Sequence, residues 1–429
     1  MGMNIHKTSQ IDFKGYDARP LKGFFMSSNC RGVAEEMRAI GQREGFRIFS
    51  TVSDGVIKKC TETIPNYSLS TAGMWAQDYW TFVNNKLFSF EDSKMTKAIL
   101  EYFGLRPDLT EQIDRSSPSM DELKGKLARN QKEIANSTEL FRDNKVLMFE
   151  LMKKSDSIAD EILQMQKDAH IAGGNLFIAK NKLGQEVLIV GENDTKKYQP
   201  DEIQAMYKVE DVIVLPQMDF HLDLFIRPLN VGKILLADDK MSMKVLTEGL
   251  GKFKSYILSL PVSERKTYSK LFVKYYKELE KFYNNIRDNT FVQANSVAKI
   301  LEEKTFEVVR VPARIYEFCE VVNDEDFLRH KCNYLNANVL INDEGKLVYI
   351  TNKSNVDNDF GISPEVAQKI GFSFEKSFID SISPYVEKEH FYFIKGEDDF
   401  VANEMLKEFQ GGIHCACAEI PKNIGENIK

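Results

Sequence analysis

The chain has 429 residues, of which 43% are hydrophobic and 28% are charged, a balance that is ordinary for a soluble globular protein. Its formal net charge of -7 argues against a general nucleic-acid-binding protein, because contacts to phosphate need a basic surface. Because no stretch reaches the roughly 18 apolar residues of a membrane-spanning helix and the N-terminus lacks the apolar core of a secretory signal, we expect a cytoplasmic protein that binds neither nucleic acid nor a membrane, although export without a cleaved signal is also compatible with the sequence.

Strand-like and helix-like stretches alternate from the start of the chain. The patterns predict a strand at 22–28, a helix at 33–45 and a strand at 46–52. An aromatic-rich strand region follows, with a turn at Asn84 and Asn85. The first part of the chain therefore already mixes both kinds of element.

β-Hairpins recur further along the chain, each with two β-rich runs around a turn. They are predicted at 173–191, 221–238 and 336–351, with single strands at 210–216, 306–312 and 390–398 and helices at 360–372, 378–389 and 400–409. Two other blocks, 91–165 and 241–306, are charged, poor in glycine and apolar at helical spacing, so they are predicted as helical insertions.

The hairpins, each accompanied by a helix or a strand, suggest several ββαβ-like units in an α/β fold. No low-complexity segment and no linker separates them. We therefore expect one catalytic domain over residues 15–425, carrying the helical insertions 91–165 and 241–306.

Two short motifs place acidic residues at predicted strand ends. Asp78 lies among aromatic residues in WAQDYW, where a carboxylate must be solvated, paired or functional. His221 and Asp223 are two residues apart in HLD, so on a strand they would face the same side. The plainer interpretations are a turn aspartate for Asp78 and an ordinary half-buried strand for His221 and Asp223.

A third motif, GGIHC, ends at Cys415 near the C-terminus. Glycines allow a sharp bend and close approach to a ligand, and nearby backbone amides could hold Cys415 partly as a thiolate. The alternatives are a small apolar core residue or a soft-metal ligand with His414 and Cys417. The other cysteines are scattered, without a disulfide framework or a second ligand pair, so we expect no metal.

Taken together and in this order, WAQD, HLD and GGIHC resemble the guanidino-group-modifying enzymes, the pentein superfamily. GGIHC is similar to the cysteine loop of agmatine deiminases, whereas WAQD followed by GGNLFIA looks closer to the catalytic domain of protein-arginine deiminases. The resemblance spans roughly residues 20–420. It implies an α/β propeller of ββαβ-like units that hydrolyses a guanidino group without a cofactor.

The resemblance also implies a role for each motif residue. Cys415 would attack the guanidinium carbon, His221 would act as general acid and base, and Asp78 and Asp223 would clamp the guanidinium. The substrate-binding residues that the resemblance implies are Trp75, Asn175 and Gly412. His414 would point away from Cys415, because adjacent strand residues face opposite sides.

The sequence departs from these enzymes at several positions. Ala172 precedes the central Gly-Gly where many small-molecule members have an acidic residue, and Cys417 stands where a threonine is common. Thr81 and Phe177 occupy positions of calcium-binding glutamates in the animal protein-arginine deiminases, which argues against calcium dependence without deciding it.

Three questions stay open at this point. The substrate could be an arginine-containing protein or a small guanidino compound such as arginine or agmatine. The same residues could transfer an amidino group to an amine in place of water. A different class of function is a partner-binding protein on a pentein scaffold, with the helical insertions as the docking surface.

Overall fold

The computed structural model describes seventeen segments of the chain and their contacts. They comprise residues 19–26, 31–50, 76–78, 80–83, 86–89, 110–112, 122, 125–132, 151, 153–155, 157–158, 171, 173–195, 199–286, 288–322, 325–396 and 411–422. The predicted helix at 400–409 and most of the block 91–165 lie outside these residues.

The described residues contain strands numbered here in chain order. They are β1 Leu21–Met26, β2 Arg47–Ser50, β3 Trp80–Val83, β4 Lys86–Ser89, β5 Thr110–Gln112, β6 Leu176–Lys180, β7 Glu186–Gly191, β8 Val212–Leu215, β9 Ile226–Asn230, β10 Lys233–Ala237, β11 Glu307–Val311, β12 Arg314–Val322, β13 Glu325–Asn333, β14 Asn338–Ile341, β15 Leu347–Asn352, β16 Phe391–Ile394 and β17 Cys417–Pro421.

The helices with defined bounds fall between these strands. They are α1 Arg31–Glu44, α2 Glu192–Thr195, α3 Pro200–Tyr207, α4 Asp239–Ser259, α5 Val262–Asn285, α6 Asp288–Glu303, α7 Val356–Asp359, α8 Pro364–Ile370 and α9 Phe374–Ile382. Short 3-10 turns occur at Ala76–Asp78, Gly173–Asn175, Leu222–Leu224 and Lys388–His390.

Five three-stranded sheets share one pattern. In each, the middle strand pairs antiparallel with one neighbour and parallel with the other, as the orders β17-β1-β2, β3-β4-β5, β6-β7-β8, β9-β10-β11 and β14-β15-β16 show. A hairpin followed by a crossover to a parallel strand is the ββαβ pattern. The predicted α/β class is therefore confirmed, while the propeller arrangement of the units stays a prediction.

The first sheet joins the two ends of the chain. β17 pairs antiparallel with β1, with Met26 opposite Cys417, and β1 pairs parallel with β2 after the helix α1. Ile413 and Ala416, which precede β17, are buried in the same hydrophobic cluster as Phe24 and Met37. This cluster fixes the GGIHC segment against the N-terminal unit.

The block predicted as a helical insertion at 241–306 is the crossover between β10 and β11. Its helices α4, α5 and α6 bury apolar side chains at helical spacing, among them Leu246 and Phe253 of α4 and Leu279 of α5, in the largest hydrophobic cluster. Each such buried side chain contributes roughly 1.5–3 kcal/mol. The Tyr275 hydroxyl also donates to the carbonyl of Leu246 at 2.7 Å, which ties α5 to α4.

Three strands were not predicted from the sequence. Thr110–Gln112 lies within the stretch predicted as mostly helix, yet it forms β5 and pairs parallel with β4, Leu87 opposite Thr110. For this short segment, pairing with a distant strand outweighs the local preference. The other two strands are β12 and β13, whose long hairpin is the sixth sheet and lies outside the repeating pattern.

Candidate functional site

The centre of the candidate site is a buried turn that precedes β17. Cys415 lies in this turn and is 6% exposed. Its Sγ accepts a hydrogen bond from Asn336 Nδ2 at 3.1 Å and donates to Asp223 Oδ2 at 3.2 Å. The structure thus places the predicted nucleophile against one of the two predicted clamping carboxylates.

Asn336 was not predicted, and it connects three residues of the site. Its Nδ2 donates to Asp223 Oδ2 at 2.9 Å as well as to Cys415, and its Oδ1 accepts from the backbone N–H of His414 at 3.0 Å. The side chain is fully buried. The sequence did contain a signal for Asn336, since CNYLNANV places several asparagines in a segment that is otherwise apolar. Amide side chains that are buried in such a segment need specific hydrogen-bond partners.

Gly412 is required by close packing. A Cβ at this position would lie 2.3 Å from Asn352 Nδ2 and 2.6 Å from Asn336 Oδ1, distances that real Cβ atoms do not reach. Its backbone also hydrogen bonds to Cys415 and so favours the thiolate. Glycine is therefore needed at this turn because the backbone closely approaches two asparagine side chains, as expected from the sequence.

The HLD motif is not a strand, as was predicted, but a loop that leads into a 3-10 turn. The turn spans Leu222–Leu224, and β9 begins only at Ile226. The predicted alternation of side chains between two strand faces does not apply here, because side-chain oxygens accept the backbone hydrogen bonds that a neighbouring strand would otherwise accept. Asp223 is completely buried, whereas His221 is only half-buried.

Asn175 supplies one of these oxygens. Its Oδ1 accepts from the backbone N–H of Leu222 at 2.8 Å and from Gln217 Nε2 at 2.9 Å, and its Nδ2 donates to the carbonyl of Phe220 at 3.2 Å. Through these contacts Asn175 supports the loop that carries His221. Contact between Asn175 and a substrate stays a prediction.

A buried charge network anchors the start of the same loop. Asp219 accepts from Arg314 Nη1 at 3.1 Å and lies 2.9 Å from His330 Nε2. Arg314 is also paired with Asp239 through two hydrogen bonds, at 2.9 and 3.1 Å. Because all four side chains are almost completely buried, they define the position of Asp219, two residues before His221.

The hairpin β12-β13 supplies these anchors. Arg314 begins β12 and His330 lies in β13, while Asn333 at the end of β13 donates to the carbonyl of Leu224 at 2.8 Å. The loop is therefore held at both ends by one hairpin. Within the sequence HKC at 330–332, His330 belongs to this support.

His221 packs closely against the backbone of Gly174. A Cβ at Gly174 would lie 2.4 Å from His221 Nδ1, so only glycine fits under the ring. The ring also contacts that of Phe220, with centroids 4.6 Å apart. The glycine pair at 173–174 thus marks the place where the HLD loop crosses a neighbouring unit.

His414 belongs to the site, although the sequence predicted that it faces away from Cys415. GGIHC is a turn, so the strand alternation behind that prediction does not apply. His414 Nδ1 lies 2.9 Å from Asp223 Oδ2, the oxygen that also contacts Cys415. Burial and the nearby charges of Arg227 and His221 lower the pKa of His414 well below its ordinary value, so it is a neutral donor to Asp223.

The Cys415 thiol is protonated in the ligand-free protein. Burial, followed by the negative charge of Asp223, raises the pKa of Cys415 well above its ordinary value, although Asn336 and the Gly412 backbone act in the other direction. The expected partial thiolate is therefore not present in this state. A positive charge bound beside Asp223 would reverse the electrostatic part of this effect.

The WAQD motif approaches the site through its backbone. The 3-10 turn Ala76–Asp78 is joined to the catalytic turn by a hydrogen bond from the backbone N–H of Gln77 to the carbonyl of Cys415 at 3.1 Å. Gln77 Nε2 donates to the carbonyl of Gly173 at 2.7 Å. The side chain of Asp78 and the whole of Trp75 lie outside the described residues, so their roles stay predictions.

Comparison with known proteins places two deiminases beside this chain. The agmatine deiminase of C. jejuni is 12% identical, covers 96% of this chain and 96% of its own, and has a TM-score of 0.45. A candidate peptidyl-arginine deiminase is 10% identical, covers 96% of this chain and 100% of its own, with a TM-score of 0.45. Both carry the name of a deiminase. No family model and no curated protein sequence matches the chain.

A small cavity borders His414. Its lining includes Arg19, Gln77, Trp80, His414, Cys417 and Glu419. Cys417, the first residue of β17, lines this cavity, whereas Cys415 lies in the preceding turn. The two cysteines therefore occupy different environments.

Among the described residues, no group of three or more histidine, cysteine, aspartate or glutamate side chains could hold a metal ion. Within the same residues, no helix has both the length and the apolar character required to span a bilayer.

Proposed function

We propose that the protein is a guanidino-group hydrolase, a deiminase, that converts an arginine-type guanidinium to a ureido group and releases ammonia. The observation that carries the proposal is the contact of the Cys415 thiol with Asp223 and Asn336 in a buried turn. A sulfur nucleophile beside a carboxylate suits attack on a cationic, planar carbon. The carboxylate can hold the guanidinium N–H groups while the sulfur reaches the carbon.

Binding of substrate would also prepare the nucleophile. In the free protein burial, followed by the negative charge of Asp223, raises the pKa of the Cys415 thiol well above its ordinary value. A guanidinium bound to Asp223 brings a positive charge, which favours the thiolate. Asp78, from the turn held against Cys415, is proposed as the second carboxylate of the clamp.

The proposed reaction has two stages. When the guanidinium binds, the Cys415 thiol loses its proton to solvent. The sulfur attacks the guanidinium carbon, and a C–N bond then breaks while His221 donates a proton to the departing ammonia, which leaves a thiouronium on the sulfur. His221 then takes a proton from water, whose oxygen attacks the same carbon. The C–S bond breaks, the remaining hydroxyl proton of the adduct passes to the sulfur, and the thiol is regenerated as the ureido product leaves.

His221 is the proposed acid and base because its ring is half-buried, so that solvent reaches it in part. His414 is less suited to this role. Its Nδ1 is committed to Asp223, and its lowered pKa makes it a poor proton acceptor near neutral pH.

The test is one assay on three substrates, namely agmatine, free arginine and an arginine-containing peptide. Ureido product and ammonia are measured for the wild type, Cys415→Ala and the matched control Cys417→Ala. We expect equimolar products from at least one substrate, no activity in Cys415→Ala and retained activity in Cys417→Ala. The absence of ureido product with every substrate, or full activity in Cys415→Ala, would overturn the proposal. An amidino group transferred to an added amine would identify the alternative reaction.

The arrangement of the units is part of the same proposal. We propose that the five ββαβ units surround a common axis in one domain over residues 15–425, in the cytoplasm. Contacts between first strands of neighbouring units, β6 with β9 and β17 with β3, support this arrangement. An experimental structure of the full chain would test it directly.

A protein partner on the helical blocks also stays a proposal. The helix α5 exposes Val273, Tyr276 and Tyr283, which are 51%, 53% and 64% accessible. The peptide arm of the assay, compared with the small-molecule arms, decides whether protein arginine is the substrate.

A further inference from the structure

Arg227 is a fully buried cation, and the described residues place no acidic side chain in an ion pair with it. It lies in β9, four residues after Asp223, and no described residue places an acceptor within hydrogen-bonding distance of its Nε, Nη1 or Nη2. Arg314 is equally buried, yet its guanidinium binds Asp219 and Asp239. Burying an unpaired charge destabilises a protein, so a role other than stability is implied for Arg227.

Arg227 is linked to the catalytic turn through an aromatic ring. Its Cζ lies 5.1 Å from the centre of the Phe177 ring, and that ring stacks with His414 at 5.5 Å and 27°. Arginine side chains keep their proton in proteins, and a charge in a buried environment is weakly screened. The guanidinium therefore acts on His414 across a single side chain.

The hydrogen bonds of His414 fit only the neutral imidazole. Gln77 Nε2 donates to the carbonyl of Gly173 at 2.7 Å, which fixes the orientation of the Gln77 amide. The same nitrogen lies 3.3 Å from His414 Nε2, so this ring nitrogen must accept. The proton of the ring is then on Nδ1, which donates to Asp223 Oδ2 at 2.9 Å. An imidazolium would turn a second N–H toward the Gln77 donor.

Among the described residues, the charged and titratable side chains around His414 are Asp223, His221, Arg227, Arg19, Glu419, Cys415 and Cys417. Asp223 favours the imidazolium, while burial, Arg227 and His221 act against it and lower the pKa of His414. Arg19 and Glu419 are paired with each other at 3.1 Å.

We propose that Arg227 is a positioning residue for guanidinium binding, which keeps His414 neutral so that Asp223 retains its negative charge for the substrate. A neutral His414 orients the carboxylate through Nδ1–H without neutralising it. An imidazolium at this place would form an ion pair with Asp223 and compete with the guanidinium for the same oxygen. This inference rests on the proposed function.

The first test follows His414 directly, by NMR of the full chain labelled with 15N in its histidines. The His414 signal is assigned by its loss in His414→Gln. We expect His414 to stay neutral in the wild type and in Arg227→Lys as the pH falls toward 5. In Arg227→Met its midpoint is expected to rise by about one pH unit or more. Equal midpoints in the wild type and Arg227→Met overturn the proposal. Arg227→Gln serves as a second neutral variant in case Arg227→Met does not fold.

The second test measures kcat/KM against pH on the substrate found by the deiminase assay. In Arg227→Met we expect kcat/KM to fall by about tenfold at pH 6 because KM rises, and to fall much less at pH 8.5. Arg227→Lys is expected to restore the wild-type profile, and Ile226→Val on the same strand controls for core packing. A loss that is the same at every pH assigns a merely structural role to Arg227 and overturns the inference. A wild type without any deiminase activity refutes the proposed function, while the NMR comparison still decides the effect of Arg227 on His414.

Discussion

Cys415 and Asp223 are 192 residues apart in the chain, yet Sγ of the one lies 3.2 Å from Oδ2 of the other. The same oxygen receives hydrogen bonds from Asn336 Nδ2 and His414 Nδ1, both at 2.9 Å. The proposed nucleophile, the proposed clamp and their supports are therefore in contact in the ligand-free protein. Burial, followed by the charge of this carboxylate, raises the pKa of the thiol well above its ordinary value.

Replacing Asp223 should separate the reactivity of the thiol from catalysis. In Asp223→Asn the negative charge beside Cys415 is removed, so the pKa of the thiol is expected to fall and alkylation by iodoacetamide to begin at lower pH. Deiminase activity is expected to fall by about a hundredfold or more, because the guanidinium loses its charged partner. Tandem mass spectrometry of the peptide that holds both Cys415 and Cys417, carried out in a Cys417→Ala background, measures alkylation at Cys415 alone. Unchanged alkylation would show that Asp223 does not control the thiol.

The same thiol should make stability depend on pH. Its pKa in the folded protein is raised above the unfolded value, so folding favours the protonated form. This contribution is complete below the unfolded pKa, about 8.5, and is lost as the pH rises through the folded pKa. We expect any stability advantage of the wild type over Cys415→Ser, measured by urea unfolding, to shrink between pH 8 and 10. A constant difference over that range contradicts the assignment.

Asn336 is expected to matter far more than its neighbour Asn338. Asn336→Ala removes donors from both Asp223 and Cys415, and leaving a buried carboxylate short of a hydrogen bond costs about 1–3 kcal/mol. Asn338 donates only to the carbonyl of Ile413, at 3.2 Å, so Asn338→Ala is the matched control. Measured kcat should fall by about tenfold to a hundredfold in the first variant and little in the second. Similar losses in both variants would argue that Asn336 is merely structural.

The sequence located the three motif segments but not the side chains that organise them. Cys415, His221 and Asp223 stand out because their types and order are unusual. Asn336 and Arg314 are ordinary residues in ordinary contexts, and their importance depends on distances to residues far away in the chain. Such distances are set by the packing of whole units, which local patterns do not contain.

The errors in predicted structure have a similar cause. Hairpins with clear turn residues, such as the turn at Gly232, were found because the turn and the alternation agree. HLD and GGIHC were taken for strands, but the oxygens of Asn175 and Asn336 bind their backbones and replace strand partners. For that reason the sequence wrongly predicted that the His414 side chain points away from the site.

Gly174 should be essential for the position of His221. In Gly174→Ala the new Cβ would lie 2.4 Å from His221 Nδ1, so the imidazole must move. A displacement of about 1 Å can reduce kcat about a hundredfold while the fold is kept. Gly251→Ala, in the exposed face of α4 where the Cβ meets no atom within 4 Å, is the control and should leave kcat unchanged. Equal activity of the two variants would remove His221 from the proposed mechanism.

Arg314 and Arg310 form a matched pair for testing the network beneath the HLD loop. Arg314 is completely buried and binds two carboxylates, Asp219 and Asp239, whereas Arg310 is 29% exposed at its side chain and pairs with Asp238. Removing one partner from a buried network leaves uncompensated charge, so Arg314→Met is expected to lower the free energy of unfolding by about 3–5 kcal/mol.

Arg310→Met should cost about 1 kcal/mol or less, because water screens the half-exposed pair. Urea unfolding at pH 7 compares the two variants directly. Arg314→Met should also lower kcat under conditions where the variant is still folded, since Asp219 fixes the start of the loop that carries His221. If the two substitutions cost the same stability, the buried network does not hold the loop. If only stability changes and kcat does not, the network supports the fold without positioning His221.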